Sequence, residues 1–502
     1  MANQYLYGAY GYIGETTARS ATQAGTVPVY IGTAPVNLVR GFATKKLINY
    51  PVKVSNLQDA QNKLGYSADW ESFTLCEAFA AHFNNPLGNV GPIYVINVLD
   101  PATMKKTEPT SVELVFSGGR AEFKSDKIIL DTLVIEDKVE GVDFAISYNF
   151  TKGTVIITSL DPDEPLTGTL TATFNEVDPD KVTAEDIIGG KTSSGEYTGL
   201  GALDLLYQEH NAVANILAAP GWSEIPAVYN ALISASQRIN GHWDAFVVAD
   251  IPIKDASGAV DTIEKAITWK NTNGYRSERS KVYWPMATNN AGEKYHLSSL
   301  AVATMQRTDY LHDSVPMETP GNKAVAITKL YFGEGSSNMG YDQQTANELT
   351  QKGISTAVYW GGNWVLWGDH TAAYTYGADV DPRAIFDVSM RMLMYITNSF
   401  QLEWGTSIDK PMTLQLRDTI LNREQEKLDA LVSMGALIGE PKVLFIETAN
   451  PVSDMMNGDF RWDIAVTPRW DIAVTPTPPL KSATVYVTYT DEGFAAYFGG
   501  EE

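Results

Sequence analysis

The last strong strand of this chain has nothing after it to pair with. Ser482-Ala483-Thr484-Val485-Tyr486-Val487-Thr488-Tyr489-Thr490 is β-branched and aromatic almost throughout. Pro478-Pro479 ahead of it bars helix, because proline lacks the N–H and pushes its predecessor into extended geometry. Val485, Val487 and Tyr489 point one way; Thr484, Tyr486 and Thr488 point the other. A strand so placed must join its own sheet or give its backbone groups to another chain. The opening residues raise the same issue. Tyr5, Tyr7, Tyr10 and Tyr12 lie among Gly8, Gly11 and Gly14, and so few aliphatic side chains cannot bury themselves. Residues 1–25 read as an extended arm ordered against something else, or as an edge strand of their own domain. The expectation is a polymer-forming subunit tied to its copies through its ends.

Between the arms the texture is α/β. Val27-Pro28-Val29-Tyr30-Ile31-Gly32 and Ile93-Tyr94-Val95-Ile96-Asn97-Val98 read as buried strands. Ser55 is the expected cap of a short helix ending near Gly65, and Phe73–Phe83 carries Leu75, Phe79 and Phe83 at helical spacing. From Pro101 to about Gly190 short alternating runs separated by Gly, Asp and Pro predict an all-β insertion. Strands and helices then alternate again: a strand at 216–219, a helix at 226–239, strands at 244–250 and 281–284, and helices at 259–269 and 295–309. Asp381-Pro382 predicts the cap and first turn of a long helix whose apolar stripe is Ile385, Val388, Met392 and Ile396. Pro411 opens a second long helix that Gly435 stops. The predicted fold class is multi-domain α/β (α+β). Its parts are an N-terminal arm over 1–25 and a core over 26–100 and 196–370. A β-rich outer insertion over 101–195 and a C-terminal domain with its strand arm over 371–502 complete it.

One short stretch is doubled. Arg461-Trp462-Asp463-Ile464-Ala465-Val466-Thr467-Pro468 recurs at once as Arg469 to Pro476. Two copies are too few for a solenoid, so one copy should hold the structural position while the other loops out, leaving Val485 and Val487 paired.

Composition narrows the function. Lys and Arg number 37 against 60 Asp and Glu, a net charge of −23, which opposes general binding to nucleic acid or anionic membranes. Cys76 is the only cysteine, so no intrachain disulfide can form. Met1-Ala2-Asn3-Gln4 opens without a basic region or a following apolar run, and no apolar run is long enough to span a bilayer. The expectation is a chain folded in a cytoplasm.

No catalytic constellation emerges. Gly189-Gly190-Lys191-Thr192 is half a phosphate loop, with Glu185 where the leading glycine belongs. The six histidines share no metal-ligand spacing and Cys76 has no cysteine partner. Asp309 with His312, and Asp369 with His370, have no spacing that sets them apart from ordinary loop pairs. Trp360, Trp364 and Trp367 suggest a sugar platform or, more simply, packing at a domain junction. No cofactor or metal is expected.

Several stretches, in order along nearly the whole chain, resemble the sheath proteins of contractile phage tails and of related bacteriocin and type VI secretion sheaths. They are Val27–Ala34, Phe73–Asn84 with Ile93–Val98, Gly199–Leu203, Ala219-Pro220-Gly221 and Arg307-Thr308-Asp309. Pro320–Lys323, Leu349–Ile354, Trp367–Thr371 and Asn457-Gly458 through Gly493 follow. The resemblance implies a virion structural protein that is not an enzyme. It implies stacked hexameric rings around a tail tube, with baseplate and terminator proteins as further partners and no direct contact with nucleic acid or membrane. It also implies assembly in a bacterial cytoplasm, contraction that drives the tube into the host, and terminal arms that add strands to neighbouring subunits. Arg383, Arg391, Arg417 and Arg423, on the two long C-terminal helices, are candidates for a tube-facing strip, or for solvated faces with i,i+4 pairs. The competing expectation is an α/β enzyme or carbohydrate-binding protein with a β insertion.

Overall fold

The computed structural model describes residues 25–336, 340–456, 460–468 and 487–488. Its centre is an eight-stranded sheet, built from β1 (Pro28–Gly32), β2 (Pro51–Val54), β3 (Ile93–Asn97), β4 (Ile216–Ala218), β5 (Phe246–Asp250), β6 (Ser280–Tyr283), β7 (Ile354–Trp360) and β8 (Asn363–Trp367). The order is β2-β3-β1-β4-β5-β6-β7-β8. Strands β3 through β7 run parallel, and β2 and β8 close the two edges antiparallel. β1, β3, β4, β5 and β6 are buried at every position, which is why they read as unbroken apolar runs rather than alternating ones.

The strand order reverses between β1 and β4. The chain first steps outward from β1 to β3, then returns to the other side of β1 and proceeds through β5, β6 and β7. Right-handed crossovers in opposite directions put helices on both faces. α1 (Leu75–Phe83), in the first crossover, is buried at every residue and packs against α2 (Leu297–Tyr310). Gly32 at the end of β1 is required for this: a Cβ there would lie 2.3 Å from Thr74 Oγ1.

Between β3 and β4 the chain forms two three-stranded antiparallel sheets. One pairs Thr110–Phe116 and Val134–Ile135 with Gly168–Phe174; the other pairs Arg120–Lys124 and Phe144–Asn149 with Thr154–Ser159. They enclose a separate apolar cluster around Leu114, Phe144, Ile157 and Phe174. Two five-residue helices, Ala184–Ile188 and Leu206–His210, follow before the next core strand. Gly189-Gly190 lies after the first of them, at its C-terminal end, and Gly190–Lys191 forms a hairpin with Tyr197–Thr198. Backbone N–H groups cradle phosphate at a helix start, so this segment is no phosphate loop.

Several local expectations need correction. The first short helix, Leu57–Leu64, is capped by Asn56 rather than Ser55, because the Asn56 carboxamide accepts from the Asp59 N–H. Helix 226–239 is shorter, Pro226–Ala235, and the helix expected from residue 259 begins at Ile263, since Gly258–Ala259 pairs with Lys254–Asp255. The tryptophan-rich stretch is the hairpin β7–β8, turning at Gly361-Gly362 with φ of 60° and 86°. Asp381 caps only a single 3-10 turn, Pro382–Ala384; Phe386 then turns extended and the long helix α3 runs Asp387–Trp404.

α4 (Leu414–Ser433) follows, stopped by Gly435 at φ 77°. It packs on a three-stranded sheet of β9 (Leu437–Leu444), β10 (Asp463–Pro468) and β11 (Val487–Thr488). β10 is the first copy of the doubled stretch; the second, Arg469 to Pro476, lies outside the described residues.

Candidate assembly interfaces

The C-terminal sheet is the first candidate surface. β9 and β10 pair antiparallel from Leu437↔Pro468 to Leu444↔Asp463, with a bulge between Ile438 and Lys442. β11 lies parallel to β10, with Ile464 opposite Val487 and Ala465 opposite Thr488. Of the residues expected to form the C-terminal strand arm, Val487 and Thr488 are thus brought beside the same chain's β10. Thr484, Val485, Tyr486 and Tyr489 lie outside the described residues, as do Tyr5, Tyr7, Tyr10 and Tyr12 of the N-terminal arm. α4 steadies this sheet through one side chain. Gln425 accepts from the Val443 N–H at 3.1 Å and donates to the Pro441 carbonyl at 2.8 Å, holding β9 beside its bulge. Leu414 at the start of α4, Leu444 at the end of β9, and Val452 and Met456 are exposed apolar residues of this region.

The root of the N-terminal arm is the second. The described chain begins at Gly25 and enters β1 through a set of buried polar contacts. Thr26 Oγ1 donates to Asp309 Oδ2 at 2.5 Å, and the Arg391 guanidinium pairs with the same oxygen. Gln306 Nε2 donates to the Thr26 carbonyl at 3.2 Å, and Asn215 Oδ1 accepts from the Val27 N–H at 2.9 Å. Asp309 comes from α2 and Arg391 from α3, so the start of the described chain is fixed by both helices.

The arginines do not form one strip. Arg391 is withdrawn from the candidate set: its side chain is 4% exposed and paired with Asp309, whose side chain is fully buried. Its burial follows from its helix. Residues 387–394 of α3 are buried on every face, which happens when a helix is enclosed on all sides. Arg383 is half-exposed between Glu278 and Asp381. Arg417 lies against Asp418 at 2.7 Å with its guanidinium over the Phe445 ring, and Arg423 pairs with Glu403 at 2.5 Å. Arg417 and Arg423 remain on the outer side of α4, at 34% and 63% side-chain exposure.

Sequence reasoning missed a second buried pair. Lys281 of β6 donates to Asp387 at 2.7 Å, both side chains fully buried, and also to the Gly368 carbonyl at 2.9 Å. Thr319 Oγ1 adds a bond to Asp387 at 3.1 Å. The stretches 307–309, 319–323 and 367–371 therefore converge on the N-terminal half of α3. Further along, Asn398 accepts from the Asp244 N–H and donates to its carbonyl. At its end Trp404 Nε1 donates to Glu424 at 2.5 Å, tying α3 to α4. Among the described residues no group of three or more His, Cys, Asp or Glu is placed to hold a metal ion, and no helix is long and apolar enough to cross a membrane.

No protein-family model matches the chain. It is 26% identical over 523 residues to the tail sheath protein of Burkholderia phage BcepMu, with all of both chains covered. It is 25% identical over 325 residues to the major tail sheath protein of Serratia phage KSP20, covering 63% of this chain and 74% of that one. Among solved structures it resembles a chain of the anti-feeding prophage baseplate, with a TM-score of 0.52 at 15% identity over 92% of this chain and 96% of that one. The sheath complex of an extracellular contractile injection system in its contracted state gives a TM-score of 0.51 at 12% identity, over 93% and 95% of the two chains.

Proposed function

We propose that this chain, which belongs to the contractile tail sheath family, stacks as hexameric rings around an inner tube and shortens to drive that tube through a host envelope. The observation that carries the reading is the seat beside Ile464–Ala465. It is filled by Val487–Thr488, which arrive after an 18-residue connection, 469–486. At roughly 3.3–3.6 Å per residue such a connection can reach up to about 60 Å. The same parallel seat can then be filled from the chain itself or from a neighbour with the same hydrogen bonds, the physical basis of strand exchange between copies. Each backbone bond contributes only about 0.5–1.5 kcal/mol net. Repetition around every ring and between rings makes the mesh strong.

The N-terminal arm, rooted by Thr26 on Asp309, is assigned the complementary role of reaching a second neighbour. The β-rich insertion, with its own core, is assigned to the outside of the cylinder, and Arg417 and Arg423 to the side facing the tube. Further partners in this reading are the tube, baseplate and terminator proteins. Contraction needs no fuel if the extended lattice is assembled in a metastable state and released by a trigger. The role is structural rather than catalytic, consistent with the relatives being sheath proteins, and its site is the tail of a virion assembled in the host cytoplasm.

Negative-stain microscopy of the purified chain tests the proposal. Striated cylinders or stacked rings are expected. A uniform small oligomer at every concentration and salt would overturn it.

A further inference from the structure

A cleft of about 690 Å³ opens at the C-terminal ends of β1, β4, β5 and β6, where the strand order reverses. This is the place where open α/β sheets bind ligands, and the volume is that of a small-molecule site.

Its lining is specific. On the inner side the His296 imidazole, just before the first turn of α2, lies 2.7 Å from Glu77 and 3.5 Å from Glu224. Burial alone would lower its pKa, but the two carboxylates outweigh burial and hold it well above its usual value. That pair is internally neutral and rigid, since Glu77 also accepts from the His296 N–H at 2.7 Å. Trp70 and Trp222 form aromatic sides. Both indole N–H groups are buried and that of Trp70 meets the Tyr66 hydroxyl, so the two rings offer the cleft aromatic surface rather than donors.

The rim is acidic. Glu71 is exposed and makes no ion pair or hydrogen bond among the described residues. Glu293 is held by Asn289 at 2.7 Å and has no cationic partner. The one lysine in the lining, Lys294, is committed to Glu334 at 3.0 Å and lies over the Tyr331 ring at 4.5 Å. Free carboxylates beside aromatic faces favour a cation.

We propose that this cleft binds an organic cation, the chemistry of an arginine or lysine side chain. The guanidinium or ammonium would sit between the rim carboxylates and the indole rings.

Tryptophan emission of the unassembled chain, titrated with N-acetyl-arginine amide, tests this independently of polymerisation. A saturable change is expected, weakened several-fold by raised salt and by Glu71→Gln with Glu293→Gln. N-acetyl-glutamate amide should give none. Trp222→Leu should weaken binding about tenfold, while the exposed Glu71→Gln alone guards against loss of folding as the cause. An arginine-containing peptide binding more tightly than the free amide identifies a protein loop as the source of the cation; equal affinity identifies a free guanidine. No saturable response to the arginine probes, or equal binding of the glutamate analogue, overturns the proposal.

Discussion

The ion pair between Asp309 and Arg391 is the most exacting point at which to test this structure. It lies at 0% and 4% side-chain exposure, on elements 82 residues apart in sequence, and it roots the first strand through Thr26. Asp309→Asn keeps the shape and removes the charge, leaving a buried guanidinium with no counter-ion. Breaking a buried pair from one side costs about 3–5 kcal/mol. Removing both charges, as in Asp309→Asn with Arg391→Met, leaves no orphan and should recover a large part of that loss. For a cooperative unit of 150–250 residues each kcal/mol is worth about 2–4 °C in Tm, so the single variant should melt lower by roughly 6–20 °C.

Urea unfolding at low protein concentration, followed by tryptophan emission and circular dichroism, measures all three variants in one cycle. The exposed pair Arg417–Asp418, at 34% and 53% exposure, is the control and should give less than about 1 kcal/mol. If Asp309→Asn costs no more than that control, or if the double variant loses the sum of the two singles, the account of the arm's root is wrong.

Three further outcomes follow from the geometry. His82 is buried, with Nε2 2.8 Å from the Tyr30 hydroxyl, and burial lowers its pKa to about 4. Its unfolded value is near 6.5, so the unfolded chain binds the extra proton first and stability falls as pH drops from 6.5 to 4. The loss is about 3 kcal/mol at pH 4, seen as the difference between the parent chain and His82→Gln in urea melts. Asp250 opposes this in the parent, because burial raises it to about 7; the comparison between the two chains cancels that effect. Deleting Arg469 to Pro476 should leave the subunit's urea midpoint unchanged, since the first copy forms β10. It should also shorten the cylinders seen by microscopy, since a ten-residue connection reaches only about 35 Å. Arg417→Glu with Arg423→Glu should change subunit stability by less than about 1 kcal/mol yet abolish co-assembly with tail tubes in a sedimentation assay. Unchanged co-assembly removes the tube-facing role.

The parallel sheet was legible because its strands are short unbroken apolar runs, and the two-residue strand Val487–Thr488 falls within the β-branched stretch between Pro479 and Gly493. The hairpin β7–β8 was obscured by its tryptophans, although Gly361-Gly362 between two β-rich runs marks the turn. Arg391 was misplaced for a physical reason. A stripe of apolar residues identifies the buried face of a helix only when the other face meets water, and the first turns of α3 have no wet face. Its partner, and that of Lys281 106 residues from Asp387, are set by tertiary packing alone. No local periodicity encodes a salt bridge across that distance.

Under the proposed function, these buried polar contacts would hold the subunit together as the lattice shortens. α3 is fastened to the central sheet at its start by Lys281–Asp387 and, one turn later, to α2 by Arg391–Asp309. At its end Trp404 and Glu403 lock it to Glu424, Arg423 and Lys427 of α4. α4 in turn grips β9 through Gln425. In the proposed lattice a pull on the seat at Ile464–Ala465 would pass along β10, β9, α4 and α3 to the core through these bonds. The lattice of the proposed sheath would change its pitch through the connections between subunits, while the buried pairs would keep each subunit's shape.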